Sequence, residues 1–112
     1  MVARVWHGYT KPEHADAYES MLKPALLPGV GRMKGYRGSY LLRRAAGDEV
    51  EFTTIMFWDT LDDIRAVAGP DCENGCHPRG AAEYLSRYDS TAAHYDIVST
   101  HQPDGASGIV AW

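Results

Sequence analysis

Apolar and polar positions along the chain fall into segments of two periods. From Val2 to His7 the run is rich in β-branched and aromatic residues and closes at Gly8, the mark of a strand; its alternation groups Ala3, Val5 and His7 against Val2, Arg4 and Trp6. Thr10-Lys11-Pro12-Glu13 then reads as a helix start, with Thr10 as cap, Glu13 completing a capping box and Pro12 in the first turn. Ala15, Tyr18, Met21 and Leu22 recur at helical spacing, and Pro24 predicts an end near Lys23. A glycine- and proline-rich loop, Leu27 to Gly35, lets the chain turn back. Tyr36 to Arg44 and Val50 to Trp58 are the arms of a hairpin around Ala45-Ala46-Gly47-Asp48.

Thr60 caps a short second helix with Ile64 and Val67 inward and Gly69-Pro70 as its stop. Leu85 and Tyr88, three apart, suggest another helical segment over Ala81 to Tyr88, and Ala92 to Ser99 reads as the last strand. The order strand, helix, strand, strand, helix, strand predicts an α+β, ferredoxin-like βαββαβ antiparallel sheet with its helices on one face. Residues 1–100 form that domain, and 101–112 a tail ending in the apolar Ile109-Val110-Ala111-Trp112. The third strand is apolar at both parities, Phe52, Met56 and Trp58 on one and Ile55 and Phe57 on the other, so the bare sheet face needs a cover. A homodimer packed sheet on sheet would supply it, with the tail running onto the partner protomer.

Composition narrows the partners. The 112 residues suffice for one core, and 11 Lys+Arg against 15 Asp+Glu give a net charge of -4 with no basic run, which argues against nucleic acid. No stretch approaches the ~20 apolar residues of a membrane span and the start lacks a signal-peptide pattern, so no membrane is expected and the cytoplasm is the expected compartment. Cys72 and Cys76 are too few for a disulfide scaffold and read as free thiols. With His77 and His7 they offer four soft ligands, but Cys-x3-Cys is not a zinc spacing, and no metal is expected.

Ala3-Arg4-Val5-Trp6-His7-Gly8, Pro12-Glu13-His14-Ala15-Asp16-Ala17-Tyr18, Gly35-Tyr36-Arg37-Gly38, Phe57-Trp58-Asp59 with Ile64-Arg65-Ala66, and His94-Tyr95-Asp96 together resemble the antibiotic biosynthesis monooxygenase family of dimeric α/β barrels. The likeness spans residues 1–99. It implies a cavity between sheet and helices, and a range of activities from cofactor-free oxidation of polycyclic phenols to haem degradation. In the haem-degrading branch an Asn on the first strand, a Trp on the second helix and a His ten residues later serve the haem; here they fall on His7, Val67 and His77, and only the last is kept. In the quinone-forming branch the working Trp falls on Trp58, and the Asn four residues before it on Thr54.

The leading expectation is therefore a small cofactor-independent monooxygenase for aromatic or polyketide-like substrates. His7, placed by the resemblance on the helix-facing wall, or His77 acts as general base, and Trp6, Trp58, Val67, Tyr95 and His94 line the pocket. Each has a plainer alternative: His7 as a core histidine bonded to a carbonyl, His94 as a half-buried edge residue, His77 as part of a solvated turn, the rings as core or dimer contacts. No phosphate loop or nucleophile elbow is present, which removes kinase and hydrolase readings. Two other functions remain, a haem-binding or haem-degrading barrel and a non-catalytic, stress-related barrel that binds a small ligand.

Overall fold

The computed structural model describes residues 1–26, 33–68 and 83–101. Two helices and five strands follow in the order β1 (Val2–Thr10), α1 (Pro12–Leu26), β2 (Tyr36–Ala46), β3 (Glu49–Trp58), α2 (Leu61–Ala68), β4 (Leu85–Tyr88) and β5 (Ala93–Asp96). All pairings are antiparallel, in the order β2-β3-β1-β4, with β5 also pairing β1. This is the expected α+β, ferredoxin-like sheet.

Local chemistry accounts for most element ends. Gly47, at φ 63°, takes the left-handed turn that closes the β2–β3 hairpin without a Cβ penalty. At α2 the Thr60 hydroxyl accepts the Asp63 N–H at 3.1 Å and donates to the Asp63 carboxylate at 3.0 Å, which satisfies an orphan donor of the first turn.

Three expectations fail. Thr10 does not cap α1: its hydroxyl is buried at the end of β1 with no hydrogen-bond partner among the described residues. Helix α1 runs past Pro24 to Leu26, because a proline in the last turn removes only one backbone bond. The segment taken as helical holds β4, whose Leu85 to Tyr88 extend along the free edge of β1. A three-residue spacing in so short a run fits either state, and the unpaired strand edge decides it.

The helices cover one side of the sheet in two separate patches. Ala15, Tyr18 and Leu22 of α1 pack on Val50 and Phe52, with the Tyr18 ring edge-on to Phe52 at 4.9 Å. Ile64 of α2 packs on Val2 and Trp58, with Tyr36 edge-on to Trp58 at 5.4 Å. Since β1 sets Val2 opposite Trp58 and Thr10 opposite Val50, the helix-facing row of β1 is Val2, Arg4, Trp6, Gly8 and Thr10. Ala3, Val5, His7 and Tyr9 therefore look to the other, open side, joined there by Ile55, Phe57, Tyr40 and Tyr95 from the neighbouring strands.

Edge strand β2 carries three exposed arginines, each held by carboxylates rather than solvated alone. Arg37 donates to both oxygens of Asp59 at 2.6 and 2.9 Å, Arg44 to Glu51 at 3.1 Å, and Arg43 to Asp16 and Glu19 of α1 at 2.8 and 3.3 Å. Each arginine holds its carboxylate partner Asp59, Glu51 or Glu19 below the usual range, with Lys23 the larger influence at Glu19.

Candidate ligand site on the helix-facing side of the sheet

Between the two helix-covered patches the sheet presents Arg4 and Trp6 of β1 with Thr54 and Met56 opposite them on β3. Arg4 is only 8% exposed. Its cross-strand neighbour on β5 is His94, and the Arg4 Nη1–H donates to His94 Nε2 at 2.7 Å. A guanidinium can only donate, so His94 is a neutral imidazole with its proton on Nδ1. Both side chains make further contacts. Burying a cation in an otherwise apolar wall is costly, which marks the position as one where charge is used.

Trp6 lies along the same wall. Its indole N–H donates to the carbonyl of Asp89 at 2.8 Å, its ring sits 5.8 Å from that of Tyr88, and it folds back over Gly8, where an added Cβ would meet the ring at 3.1 Å. On the same side of the sheet the Trp58 indole N–H and the Tyr18 hydroxyl are buried with no hydrogen-bond partner among the described residues. Burial pushes the Tyr18 phenol up to about 12, so it stays protonated and cannot serve as a base.

An orphaned hydroxyl carries a desolvation cost of about 1–3 kcal/mol. Tyr18→Phe is accordingly expected to stabilise the free protein, read as a higher denaturant midpoint at unchanged slope. With its folded pKa raised, Tyr18 contributes stability that is complete below pH ~10 and lost as pH rises through about 12. The variant should lack that alkaline loss; a destabilised Tyr18→Phe would show that the hydroxyl has a partner after all.

The sequence-predicted site residues divide between the two sides of the sheet. Trp6, Trp58 and His94 share the helix-facing side. His7 does not: it lies on the open side, its side chain 37% exposed and its Nδ1 2.7 Å from the Asp89 carboxylate. The expectation that it stands in the helix-facing wall is thus corrected. Ala3 and Val5 share its parity and look like a core row, but the row that α1 and α2 cover contains Arg4 instead. Tyr95 also faces the open side, 56% exposed, and Val67 is 46% exposed on α2. His77, Cys72 and Cys76 lie outside the described residues. Among the described residues no group of three His, Cys, Asp or Glu could hold a metal, and no helix is long and apolar enough to cross a membrane.

Arg4 and Asp89 were not among the candidates. Arg4 had a signal, a charge in the middle of an apolar strand; Asp89 had none.

No family model and no curated protein matches the sequence. Solved structures do. A Bacillus cereus protein assigned as an antibiotic biosynthesis monooxygenase superposes with a TM-score of 0.67 over 92% of this chain and 96% of its own, at 10% identity. The haem degrader MhuD of Mycobacterium tuberculosis, solved with two haems in its active site, gives 0.61 over 91% and 100%, at 16% identity. Rv0793 of the same organism gives 0.58 over 90% and 98%, at 15% identity. The chain has their fold. That likeness extends over nearly the whole of each molecule, so no large insertion separates this sheet and its helices from theirs.

Haem would need an iron ligand on the helix-facing side. The histidine found there, His94, has its Nε2 engaged by Arg4. Among the described residues that histidine is not open to an iron, and His77, the haem ligand the resemblance implies, lies outside them.

Proposed function

We propose that this protein is a small cofactor-independent monooxygenase of the antibiotic biosynthesis type, taking a flat aromatic or polyketide-like substrate with an acidic oxygen. The observation that carries this reading is the buried Arg4, fixed by His94 in the wall between the two helix-covered patches, with Trp6 beside it. A planar ring stacks on Trp6, and its phenolate or enolate oxygen lies against the guanidinium.

The chemistry then needs no resident base. A cation in a dry wall favours the ionised form of an enolisable ring ketone, which surrenders its proton to water as it binds. The electron-rich anion reacts with dioxygen. In balance, a ring CH2 becomes a carbonyl, one oxygen atom enters the product and the other leaves as water, all four electrons coming from the substrate. The open side of the sheet, where Tyr95 and Leu42 are exposed beside Val5, Ile55 and Phe57, takes a second copy of the chain, which gives the dimeric barrel.

The test is oxygen uptake by the purified protein with a tricyclic aryl ketone bearing an enolisable ring CH2 and no added cofactor. The expected product is heavier by one oxygen and lighter by two hydrogens. Absence of both uptake and binding would sink the proposal, and a Soret band on adding haemin, without uptake, would favour the haem-binding alternative.

A further inference from the structure

Asp89, just beyond β4, touches both sides of the sheet through one stretch of β1. Its carboxylate accepts the His7 backbone N–H at 2.9 Å and lies 2.7 Å from His7 Nδ1. Its own N–H donates to the His7 carbonyl at 2.9 Å, and its carbonyl accepts the Trp6 indole N–H at 2.8 Å. Adjacent residues of a strand point to opposite faces, so the imidazole is on the open side and the indole on the helix-facing side. One residue therefore holds a titratable ring and an aromatic ring that never meet.

A carboxylate can only accept, so the proton of neutral His7 sits on Nδ1, and the proton gained or lost is the one at Nε2. No other hydrogen bond to that ring is made among the described residues. The charged and titratable groups around it are Asp89 beside it, Tyr9 two residues along β1, Arg87 of β4 lying 3.7 Å above the Tyr9 ring and bonded to Glu49 at 2.9 Å, and Glu51 of β3 paired with Arg44. The residue directly opposite on β3 is the uncharged Thr53.

We infer that His7 is a proton-linked positioning residue for Trp6, acting through Asp89, so that the grip of the helix-facing site on its ligand depends on the charge of a histidine on the other side of the sheet. The ligand part of this rests on the proposed site. Protonation at Nε2 turns the imidazole into a cation facing the Asp89 carboxylate, adding a direct charge–charge attraction to a hydrogen bond of 2.7 Å that the carboxylate already strengthens. Asp89 is drawn toward the open side, and the carbonyl that holds the indole moves with it.

The test is an NMR titration of the full-length wild-type protein with 15N-labelled tryptophan and 13C-labelled histidine, the indole signals being assigned with Trp6→Phe and Trp58→Phe. The Trp6 indole N–H should shift with the midpoint read from the His7 ring, while that of Trp58 follows no such curve. Affinity for 1-hydroxy-2-naphthoate, whose charge is constant over this range, should change severalfold through the same midpoint. Both effects should vanish in His7→Gln. A Trp6 signal that stays flat while His7 titrates, or that moves unchanged in His7→Gln, overturns the coupling, and the wild-type arm decides this even if the variant fails to fold. If Trp6 follows His7 but Trp6→Phe binds the naphthoate as wild type does, the coupling stands and the proton-linked grip falls with the proposed site.

Discussion

Arg4→Gln should lower affinity for 1-hydroxy-2-naphthoate at least tenfold while changing that for 1-naphthol, the same ring without the carboxylate, by less than about twofold. A hydrogen bond to a charged group contributes about 1.5–3 kcal/mol, which is the tenfold to hundredfold loss expected for the anionic probe alone. Glutamine is the informative replacement because it removes the charge while retaining part of the buried stem and a polar end; it is two bonds shorter than the guanidinium that donates to His94 Nε2 at 2.7 Å. Alanine would confound lost charge with lost packing. Oxygen uptake with the enolisable ketone should fall in parallel, because the anion that reacts with dioxygen is the species the cation stabilises. Equal losses for both probes would reduce Arg4 to a packing residue, and no loss for either would remove it from the site. Titration calorimetry of both probes, with a denaturation curve to confirm that the variant folds, separates these outcomes.

The sequence reveals the fold better than the site because the two depend on signals of different range. The hairpin, the Thr60 cap and the order of elements from β1 to α2 are written in neighbouring residues, and each appears where expected. The two sides of β1 are harder to tell apart. A strand covered by helices on one side and flanked by apolar residues on the other loses its clean alternation, so Ala3-Val5-His7 and Val2-Arg4-Trp6 both read as core rows. The packing of Ile64 on Val2, and of α1 on Val50 and Phe52 opposite Thr10 and Gly8, separates them, and with it His7 passes from the helix-facing wall to the open side. Asp89 was out of reach for another reason. It meets His7 across 82 residues of chain, through a pairing of β4 with β1 that the helical reading of that segment excludes. Where a misassigned element carries a partner, the partner is lost with it.

Gly35→Ala should be strongly destabilising, costing about 2–6 kcal/mol, summed from a strained left-handed backbone and an overpacked contact. Gly35 has φ 82°, where an L side chain is strained, and an added Cβ would fall inside the Asp63 carboxylate. Neither side yields easily. The Gly35 carbonyl accepts the Asp59 N–H at 2.8 Å and the next residue, Tyr36, donates to Met33 at 3.2 Å, which fixes the entry to β2. Asp63 is bound at both its N–H and its carboxylate to Thr60, so pushing it aside undoes the start of α2. That helix places Ile64, 1% exposed, on Val2 and Trp58, and a shifted α2 opens this patch and loosens the Trp58 end of the ligand wall. A domain of this size has about 5–15 kcal/mol in all, so the variant should unfold well below the wild-type denaturant midpoint. Asp63→Ala largely separates the two causes: in the Gly35→Ala background it removes the carboxylate from the clash and leaves the backbone strain with a residual contact to the Cβ of residue 63 at 2.9 Å, so the double variant should be more stable than Gly35→Ala alone. A Gly35→Ala cost under about 1 kcal/mol, or a double variant with purely additive losses, would show that the β2 entry is free to move and that α2 is not held by it.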